Sequence, residues 1–232
     1  MTQDPSHAGH SRFDFGPLAA RYDAWYRTPV GQAHDRVQKQ DVSGLLRAGR
    51  AGERLLDVGC GTGHWSRYFA ARGYRVTGVD IAPEMIAAAG AAASDGEFLV
   101  ADALDLPFED GAFDVAASMT VLEFVSEPAS LLREMARCTR PGGTLLIGTL
   151  NRLAPINRQR LRELRRPYAS GRLLSPGELT ELLRPFGRVE IAATPVAEKP
   201  RPSAPARFLR RCLGRRRQRL TGALMVAAVH TP

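Results

Sequence analysis

The sequence is poor in cysteine and has no long apolar run. Its three cysteines, Cys60, Cys138 and Cys212, lie far apart without CxxC or CxH pairing, which excludes a disulfide framework and a cysteine-based zinc site. No run approaches the roughly 18 apolar residues of a membrane span. The N-terminus also lacks the basic start and apolar stretch of a secretory signal. We therefore expect a reduced, cytoplasmic protein without a bound metal.

Lysine is almost absent, and the positive charge is unevenly distributed. The chain has a formal net charge of +8, but residues 199–219 alone carry nine cations and no acid. Without that segment the remaining sequence is close to neutral. The excess charge is therefore a property of one basic segment and not of the whole fold. We treat residues 198–221 as a basic insertion.

Hydrophobic patterning divides the chain into three parts. Residues 1–12 are polar and are expected to be a disordered leader. Residues 13–50 show helical spacing with a break at Thr28-Pro29, which predicts a helical N-terminal cap. From residue 51 to 232, short β-rich runs at 54–58, 75–79, 97–100, 113–118, 144–149, 188–193 and 223–229 alternate, over the first five, with helical segments. This alternation predicts an α/β domain built on a parallel sheet with right-handed crossovers.

The most informative segment is LLDVGCGTGHWS, residues 55–66, where a buried strand runs into alternate glycines. Glycines at Gly59, Gly61 and Gly63 allow a sharp turn and a close approach of the backbone to a ligand. His64 stands where a dinucleotide fingerprint needs its third glycine, and no Gly-Lys-Ser/Thr follows, so a phosphate-binding P-loop is also excluded. The spacing G-x-G-x-G behind Asp57 indicates another small ligand.

Two further acids follow the next strands. Asp80 ends YRVTGVD, where a carboxylate can accept hydrogen bonds from both hydroxyls of a ribose. Asp102, in VADALDLPF, follows the third strand and can accept from an exocyclic amine. Each acid also has a plain structural alternative, because Asp80 can cap the helix near residue 83 and Asp102 can cap a short turn.

Five motifs in order, LLDVGCGTG, VTGVDIAPEMI, ADALDLPF, FDVAASMTVLEFV and REMARCTRPGGTLLIGT, resemble those of class I S-adenosylmethionine-dependent methyltransferases. The resemblance is to the type-11 branch that includes quinone-biosynthesis enzymes. It implies a doubly wound, Rossmann-like, seven-stranded mixed sheet with the last strand antiparallel. It also implies methyl transfer from S-adenosylmethionine by in-line displacement at the sulfonium methyl, without a metal.

The same resemblance implies a role for each cofactor-binding residue. The glycine loop would line the methionine half, Asp57 would hold its ammonium, Asp80 would bind the ribose, and Asp102 would read the adenine amine. The remaining expected contacts are Cys60 on the methionine half, Ile81 and Met85 beside the adenine, the Ala103 backbone at its ring edge, Met119 and Thr120 beside the ammonium, and Tyr22 with Tyr26 as a lid.

Glu123, His64 and an aromatic cluster each have two possible roles, one functional and one structural. Glu123 follows the fourth strand as a candidate general base, or as a solvated glutamate at a helix start. His64 either acts in catalysis or caps the next helix. The cluster of Tyr22, Trp25 and Tyr26 either covers the site or packs into the core.

The acceptor is less well defined than the cofactor. Arg-rich residues 152–172 and the basic segment 199–219 should both flank the substrate side of the implied fold, and the second contains a short amphipathic pattern. Three interpretations of the basic segment 199–219 stay open: a solvated loop, a contact for an anionic membrane surface, and a contact for RNA, which is the least favoured. We expect a small-molecule or lipid-like acceptor; the alternatives are an RNA or protein methyltransferase and a non-catalytic S-adenosylmethionine-binding protein.

Overall fold

The computed structural model describes residues 11, 14–92, 96–196 and 220–232. The disordered leader expected at residues 1–12 and the basic segment 199–219 therefore lie almost wholly outside the described residues. Seven strands and eight α-helices are present in the described ranges. The strands are β1 (Arg54–Val58), β2 (Arg75–Asp80), β3 (Glu97–Val100), β4 (Phe113–Met119), β5 (Thr139–Leu150), β6 (Arg188–Ala192) and β7 (Leu224–His230). The helices are α1 (Ala19–Tyr22), α2 (Ala24–Arg27), α3 (Pro29–Leu45), α4 (His64–Ala71), α5 (Pro83–Ala92), α6 (Pro128–Cys138), α7 (Pro155–Arg162) and α8 (Pro176–Leu183).

All seven strands form one mixed sheet in the order β3-β2-β1-β4-β5-β7-β6. The first five strands are parallel neighbours, and β7 runs antiparallel to both β5 and β6. The expected doubly wound, Rossmann-like sheet with an antiparallel last strand is confirmed. The strand order reverses at β1 and β4, and in such sheets ligands bind at this point, beyond the carboxyl ends of the strands.

The sheet is covered on both faces because its central strands are apolar at successive positions. Leu55 and Leu56 of β1 are both fully buried, and they belong to different core clusters because neighbouring side chains point to opposite faces. One cluster includes side chains of α6 and α8. The other includes Trp65 and Phe69 of α4 and Val42 of α3.

The helical N-terminal segment breaks where the sequence indicated. Pro29 begins α3, and Thr28 caps it by accepting a 3.0 Å hydrogen bond from the Gly31 N–H. The part before Thr28 comprises α1, α2 and a 3₁₀ turn, while α3 is 17 residues long. Because Val42 packs on the sheet, α3 is part of a sheet-covering layer, and only the preceding helices lie over the strand ends. The domain boundary at residue 50 stays a prediction.

Two further details concern the helices. Ser175 is the N-cap of α8, with a capping box in which Glu178 completes the pair of hydrogen bonds. Across the described ranges, the helices are all too short or too polar to cross a lipid bilayer.

Candidate functional site

A cavity of about 820 Å³ lies at the carboxyl ends of the central strands. Its floor consists of residues at the ends of β1, β2 and β4 and after β3. Its roof consists of residues of the N-terminal segment and of the stretch after β4, among them Phe15, Tyr22, Tyr26 and Phe124. The cavity thus occupies the position at which the sheet topology favours ligand binding.

The glycine loop forms the expected strand-to-helix turn. Gly59, Gly61 and Gly63 all have positive φ, at 72°, 53° and 74°, which side chains with a Cβ rarely adopt. The N–H groups of Gly59 and Cys60 donate to the Val79 carbonyl at 2.7 and 2.9 Å, which ties the loop to β2.

The three glycines have different surroundings. A Cβ at Gly59 would meet Val121 Cγ2 at 2.3 Å, whereas a Cβ at Gly61 would have only Met85 Sδ nearby, at 3.9 Å. A Cβ at Gly63 would approach Ala89 Cβ to 3.3 Å. Gly59 is therefore required by protein packing, and Gly61 leaves open space.

Asp57 is buried at the end of β1 with one oxygen unsatisfied. Its Oδ2 accepts a 2.6 Å hydrogen bond from the Ser66 hydroxyl, while Oδ1 has no hydrogen-bond partner. Burial raises the pKa of Asp57 to about 7, the Ser66 hydrogen bond opposes the rise, and the Asp80 charge adds to it. A buried acceptor of this kind fits a ligand donor.

Asp80 ends β2 and has a structural role. Its Oδ2 accepts from the Gly61 N–H at 2.9 Å, and its Oδ1 accepts from the Ala82 N–H at 3.0 Å. It therefore supports both the glycine loop and the turn into α5. Because Ala82 precedes the first residue of α5, this is a turn contact and differs from the expected helix cap. Burial raises its pKa above the ordinary value, and these backbone hydrogen bonds oppose the rise.

The remaining floor residues follow β2, β3 and β4. Asp102 accepts a 2.9 Å hydrogen bond from the Leu104 N–H, which closes a short turn. Thr120 has φ of 61° without being glycine, and its N–H donates to the Gly148 carbonyl at 2.7 Å. The expected residues that line this part of the cavity are Cys60, Ile81, Met85, Ala103 and Met119, together with Asp102 and Thr120. The expected set thus surrounds one cavity, with Gly63 just beyond its lining.

Glu123 is placed differently from the expectation. Its carboxylate is buried and does not belong to the described cavity lining. It accepts hydrogen bonds from the Thr149 hydroxyl at 2.9 Å and from the Leu150 N–H at 3.3 Å, and burial raises its pKa to about 7. These contacts join the segment after β4 to the end of β5. The geometry favours this positioning role over the expected role of a general base, and it excludes the solvated alternative.

The aromatic cluster is split between the cavity and the surface. Tyr22 and Tyr26 line the cavity, while Trp25 is 37% exposed and packs on Tyr26 and His34. Burial raises the pKa of Tyr22 to about 12, against a hydrogen bond with the Thr120 side chain, so its phenol stays neutral at physiological pH.

The structure adds contacts between the N-terminal helices and the glycine loop that the sequence analysis missed. Asp23 accepts from the Thr62 hydroxyl at 2.5 Å and pairs with Arg67 at 3.2 Å. The Nε2–H of His64 donates to Asp35 of α3 at 2.7 Å. These partners lie 29 to 44 residues apart, and no local pattern signals such pairing.

Comparison with known sequences assigns this architecture to a described domain. Residues 56–147 match the profile of a family described as a methyltransferase domain. The chain is 42% identical over 99 residues to a malonyl-[acyl-carrier protein] O-methyltransferase of Serratia marcescens, which covers 43% of this chain and 39% of that protein. It is 35% identical over 159 residues to a ubiquinone biosynthesis O-methyltransferase of Xanthomonas axonopodis pv. citri, and this alignment covers 63% of this chain and 66% of that protein. The chain thus spans less than two thirds of either relative.

Comparison with solved structures gives the same fold. An S-adenosylmethionine-dependent methyltransferase of Thermotoga maritima, described as a possible histamine N-methyltransferase, superposes with a TM-score of 0.71. The match covers 94% of this chain and 98% of that one at 23% sequence identity. At this level of identity the likeness is one of fold.

Proposed function

We propose that this chain, whose residues 56–147 match a methyltransferase domain, transfers the methyl group of S-adenosylmethionine to a small-molecule acceptor bound in the cavity. The observation that carries this proposal is the unpartnered Asp57 Oδ1 in a cavity that also holds Asp80 and Asp102 at successive strand ends.

The hydrogen-bond acceptors of the cavity fit the donor groups of the cofactor. Asp57 Oδ1 lacks a donor, which the methionine ammonium would supply, and the open side of Gly61 leaves space for the ligand. Asp80 would accept from the ribose hydroxyls and Asp102 from the adenine amine. The other residues proposed to contact the cofactor are Tyr22, Gly59, Cys60, Gly63, Ile81, Met85, Ala103, Met119 and Thr120.

The cofactor, when bound, supplies a methyl group on a positively charged sulfur, which is already an activated leaving group. The protein's contribution is to align the two reactants and to exclude water. The rings of Phe15 and Phe124 pack edge to face at 5.0 Å between centroids in the cavity wall, and Tyr22 and Tyr26 complete an aromatic roof. Tyr22 is held neutral and Glu123 is turned toward β5, so neither is placed to act as the base. The acceptor atom would bond to the methyl as the bond from sulfur to that methyl breaks, and the proton of the amine or hydroxyl would leave to water.

The negative charge of the cavity wall restricts the chemical class of methyl acceptor that can bind there. Beyond the three strand-end acids, the described lining contains the carboxylates of Asp14 and Glu84 and no lysine or arginine. A wall of this composition disfavours a carboxylate or phosphate group at the acceptor end and favours a neutral or cationic molecule with an apolar body. The acceptor class that fits best is therefore a small amine or an uncharged hydroxyl compound, rather than RNA.

Methyl transfer from labelled S-adenosylmethionine to separate pools of small amines, phenols, carboxylic acids, lipids and RNA tests the proposal. We expect label in the amine or phenol pool and none in RNA. Cofactor binding without turnover in every pool would instead identify a non-catalytic binding protein. Turnover restricted to RNA or to anionic lipid would contradict the proposed acceptor class. Glu190→Ala, which alters an exposed pair with Arg188, is a matched control.

A further inference from the structure

His64 is held in a defined orientation in the cavity wall. Its Nε2–H donates to Asp35 Oδ1 at 2.7 Å, because a carboxylate can only accept. Its ring stacks on Tyr26 with 3.7 Å between centroids and 11° between planes. The second oxygen of Asp35 pairs with Lys39 Nζ at 2.7 Å. Two helices of the N-terminal segment thus fix this imidazole, and Nδ1 is the ring nitrogen that Asp35 does not use.

The described cavity lining is rich in carboxylates, and His64 is its one candidate for a positive charge. Five carboxylates and no lysine or arginine are found among the described residues that line the cavity. His64 is the one side chain of that lining that can become positively charged at physiological pH. The methionine end of the proposed cofactor carries a carboxylate on the same carbon as the ammonium assigned to Asp57. Asp57 and His64 flank the glycine loop, one just before it and one just after it.

We propose that His64 binds the cofactor carboxylate in its protonated form, with Asp35 on the opposite nitrogen of the ring. This inference rests on the proposed use of S-adenosylmethionine. The imidazolium would lie between two carboxylates, and both of its N–H groups would make charge-assisted hydrogen bonds. His64 is then a cofactor-binding residue, and Asp35 and Tyr26 are the residues that position it.

Because His64 must be protonated to bind the cofactor carboxylate, the affinity for the cofactor should depend on pH. Before the ligand binds, burial holds the pKa of His64 below its usual value, while the hydrogen bond that His64 donates to Asp35 partly opposes this shift. The charged and titratable groups that face the ring are Asp35 and Lys39 of α3, Asp23 before α2, and Tyr26 of α2. A free protein with neutral His64 must therefore take up a proton when the carboxylate arrives, and affinity must fall as pH rises.

Calorimetric titration with S-adenosylhomocysteine, which has the same amino-acid end, measures this proton directly. At about pH 7.5, titrations in buffers of different ionisation enthalpy should show greater proton uptake in the unaltered protein than in His64→Gln, by about one proton. The fraction of a proton that Asp57 releases when the ammonium binds is common to both proteins and cancels in this difference. Asp80→Ala should weaken binding and leave the number of protons unchanged, because it alters the other end of the ligand.

A second ligand separates the amino-acid end from the nucleoside end. 5′-Methylthioadenosine has the nucleoside without the amino acid, so His64→Gln should change its affinity by less than about two-fold while weakening S-adenosylhomocysteine by about ten-fold. If His64→Gln is unstable, Asp35→Asn keeps the imidazole and should still reduce both proton uptake and affinity for S-adenosylhomocysteine.

The outcomes distinguish the two proposals. Suppose that S-adenosylhomocysteine binds tightly and is sensitive to Asp80→Ala, but that its affinity and its proton uptake are both unchanged in His64→Gln. This result would overturn the role of His64 and leave the proposed function intact. Failure of the unaltered protein to bind either ligand would overturn the proposed function itself.

Discussion

The Ser66 hydroxyl donates a 2.6 Å hydrogen bond to one oxygen of Asp57, and the other oxygen of that carboxylate faces the cavity lining without a protein donor. Ser66 belongs to the first turn of α4, and Asp57 ends the strand before the glycine loop. The loop therefore brings a serine nine residues further along the chain back onto the buried acid. Desolvation of the half-satisfied carboxylate raises its pKa, and a bound cationic donor would relieve that cost.

Stability of the ligand-free protein should depend on the protonation of Asp57. Its pKa is about 7 in the folded state against an ordinary value of 3.8, so the folded state keeps a proton that the unfolded state has released. The free energy of unfolding should therefore fall as pH rises from about 4 to about 7, by up to about 1.4 kcal/mol per pH unit, and then level off. Asp57→Asn should flatten this decline in urea unfolding curves and weaken S-adenosylhomocysteine.

Glu123→Gln should flatten the pH dependence of stability as Asp57→Asn does, but it should not weaken S-adenosylhomocysteine binding. Its pKa is also raised to about 7 by burial, but its carboxylate contacts Thr149 and Leu150 instead of the cavity. The same unfolding curves should flatten, while S-adenosylhomocysteine affinity stays within about two-fold of the original. Loss of ligand binding in a folded Glu123→Gln protein would argue against the positioning role. Because the lowered pKa values of His34 and His64 act in the opposite direction, each variant is compared with the unaltered protein.

Alanine at two glycines of the loop should have different consequences. Gly59→Ala introduces a Cβ 2.3 Å from Val121 at a φ of 72°, so we expect destabilisation of about 2 to 4 kcal/mol. Gly61→Ala has the same type of backbone strain but open space around the new methyl, and it should cost only about 1 to 2 kcal/mol. Gly61→Ala should instead block the ligand. Thermal unfolding and titration of both variants measure the contrast, and equal destabilisation would contradict it.

Asp80→Ala should weaken S-adenosylhomocysteine by about 1 to 3 kcal/mol, because two hydroxyl hydrogen bonds to a charged acceptor are lost. The variant also removes the acceptor for the Gly61 and Ala82 N–H groups, so its unfolding free energy must be measured alongside. Unchanged affinity in a folded variant would show that the ribose assignment is wrong. Glu190→Ala is the control for loss of a carboxylate outside the cavity.

Asp23→Ala should loosen the N-terminal helices from the glycine loop. The change removes the acceptor of the Thr62 hydroxyl and the ionic partner of Arg67. We expect a loss of about 0.5 to 1.5 kcal/mol in S-adenosylhomocysteine affinity, because the roof of the cavity is then less well ordered before binding. Faster proteolysis of the N-terminal helices in the absence of ligand, with protection on ligand addition, is the accompanying measurement. An unaltered cleavage rate would refute the link.

Local sequence pattern was sufficient for the sheet and for the floor of the site. The β-rich runs predicted β1 to β4 to within a residue or two. For β1, β2 and β4 this follows because strands buried on both faces need continuous apolar sequence, while β3 is a short, exposed edge strand. The turn at Gly59 to Gly63 was also predictable, since positive φ restricts such positions to glycine. Acids directly after parallel strands must converge at one edge of the sheet, which brings Asp57, Asp80 and Asp102 into one cavity.

The limits of strands and helices were less predictable where tertiary contacts decide them. The run predicted at 144–149 belongs to a strand that starts at Thr139 and ends at Leu150. The earlier start of β5 comes from the pairing of Thr139 with Phe113 of β4, which a register shift separates from the pairing at Thr144, whereas β7 pairs with β5 only from Thr144 onward. Propensity alone does not encode that additional pairing.

Hydrophobic period and glycine placement act over a few residues, so the parallel sheet, the glycine turn and the order of the acids along the sheet edge follow from local sequence. Long-range contacts in the folded chain are what bring Glu123 onto β5, leave Trp25 at the surface and place Asp35 on His64. These outcomes depend on how whole helices pack against the sheet. A rotation of one helix by a single residue would separate such partners while leaving its amphipathic pattern nearly unchanged.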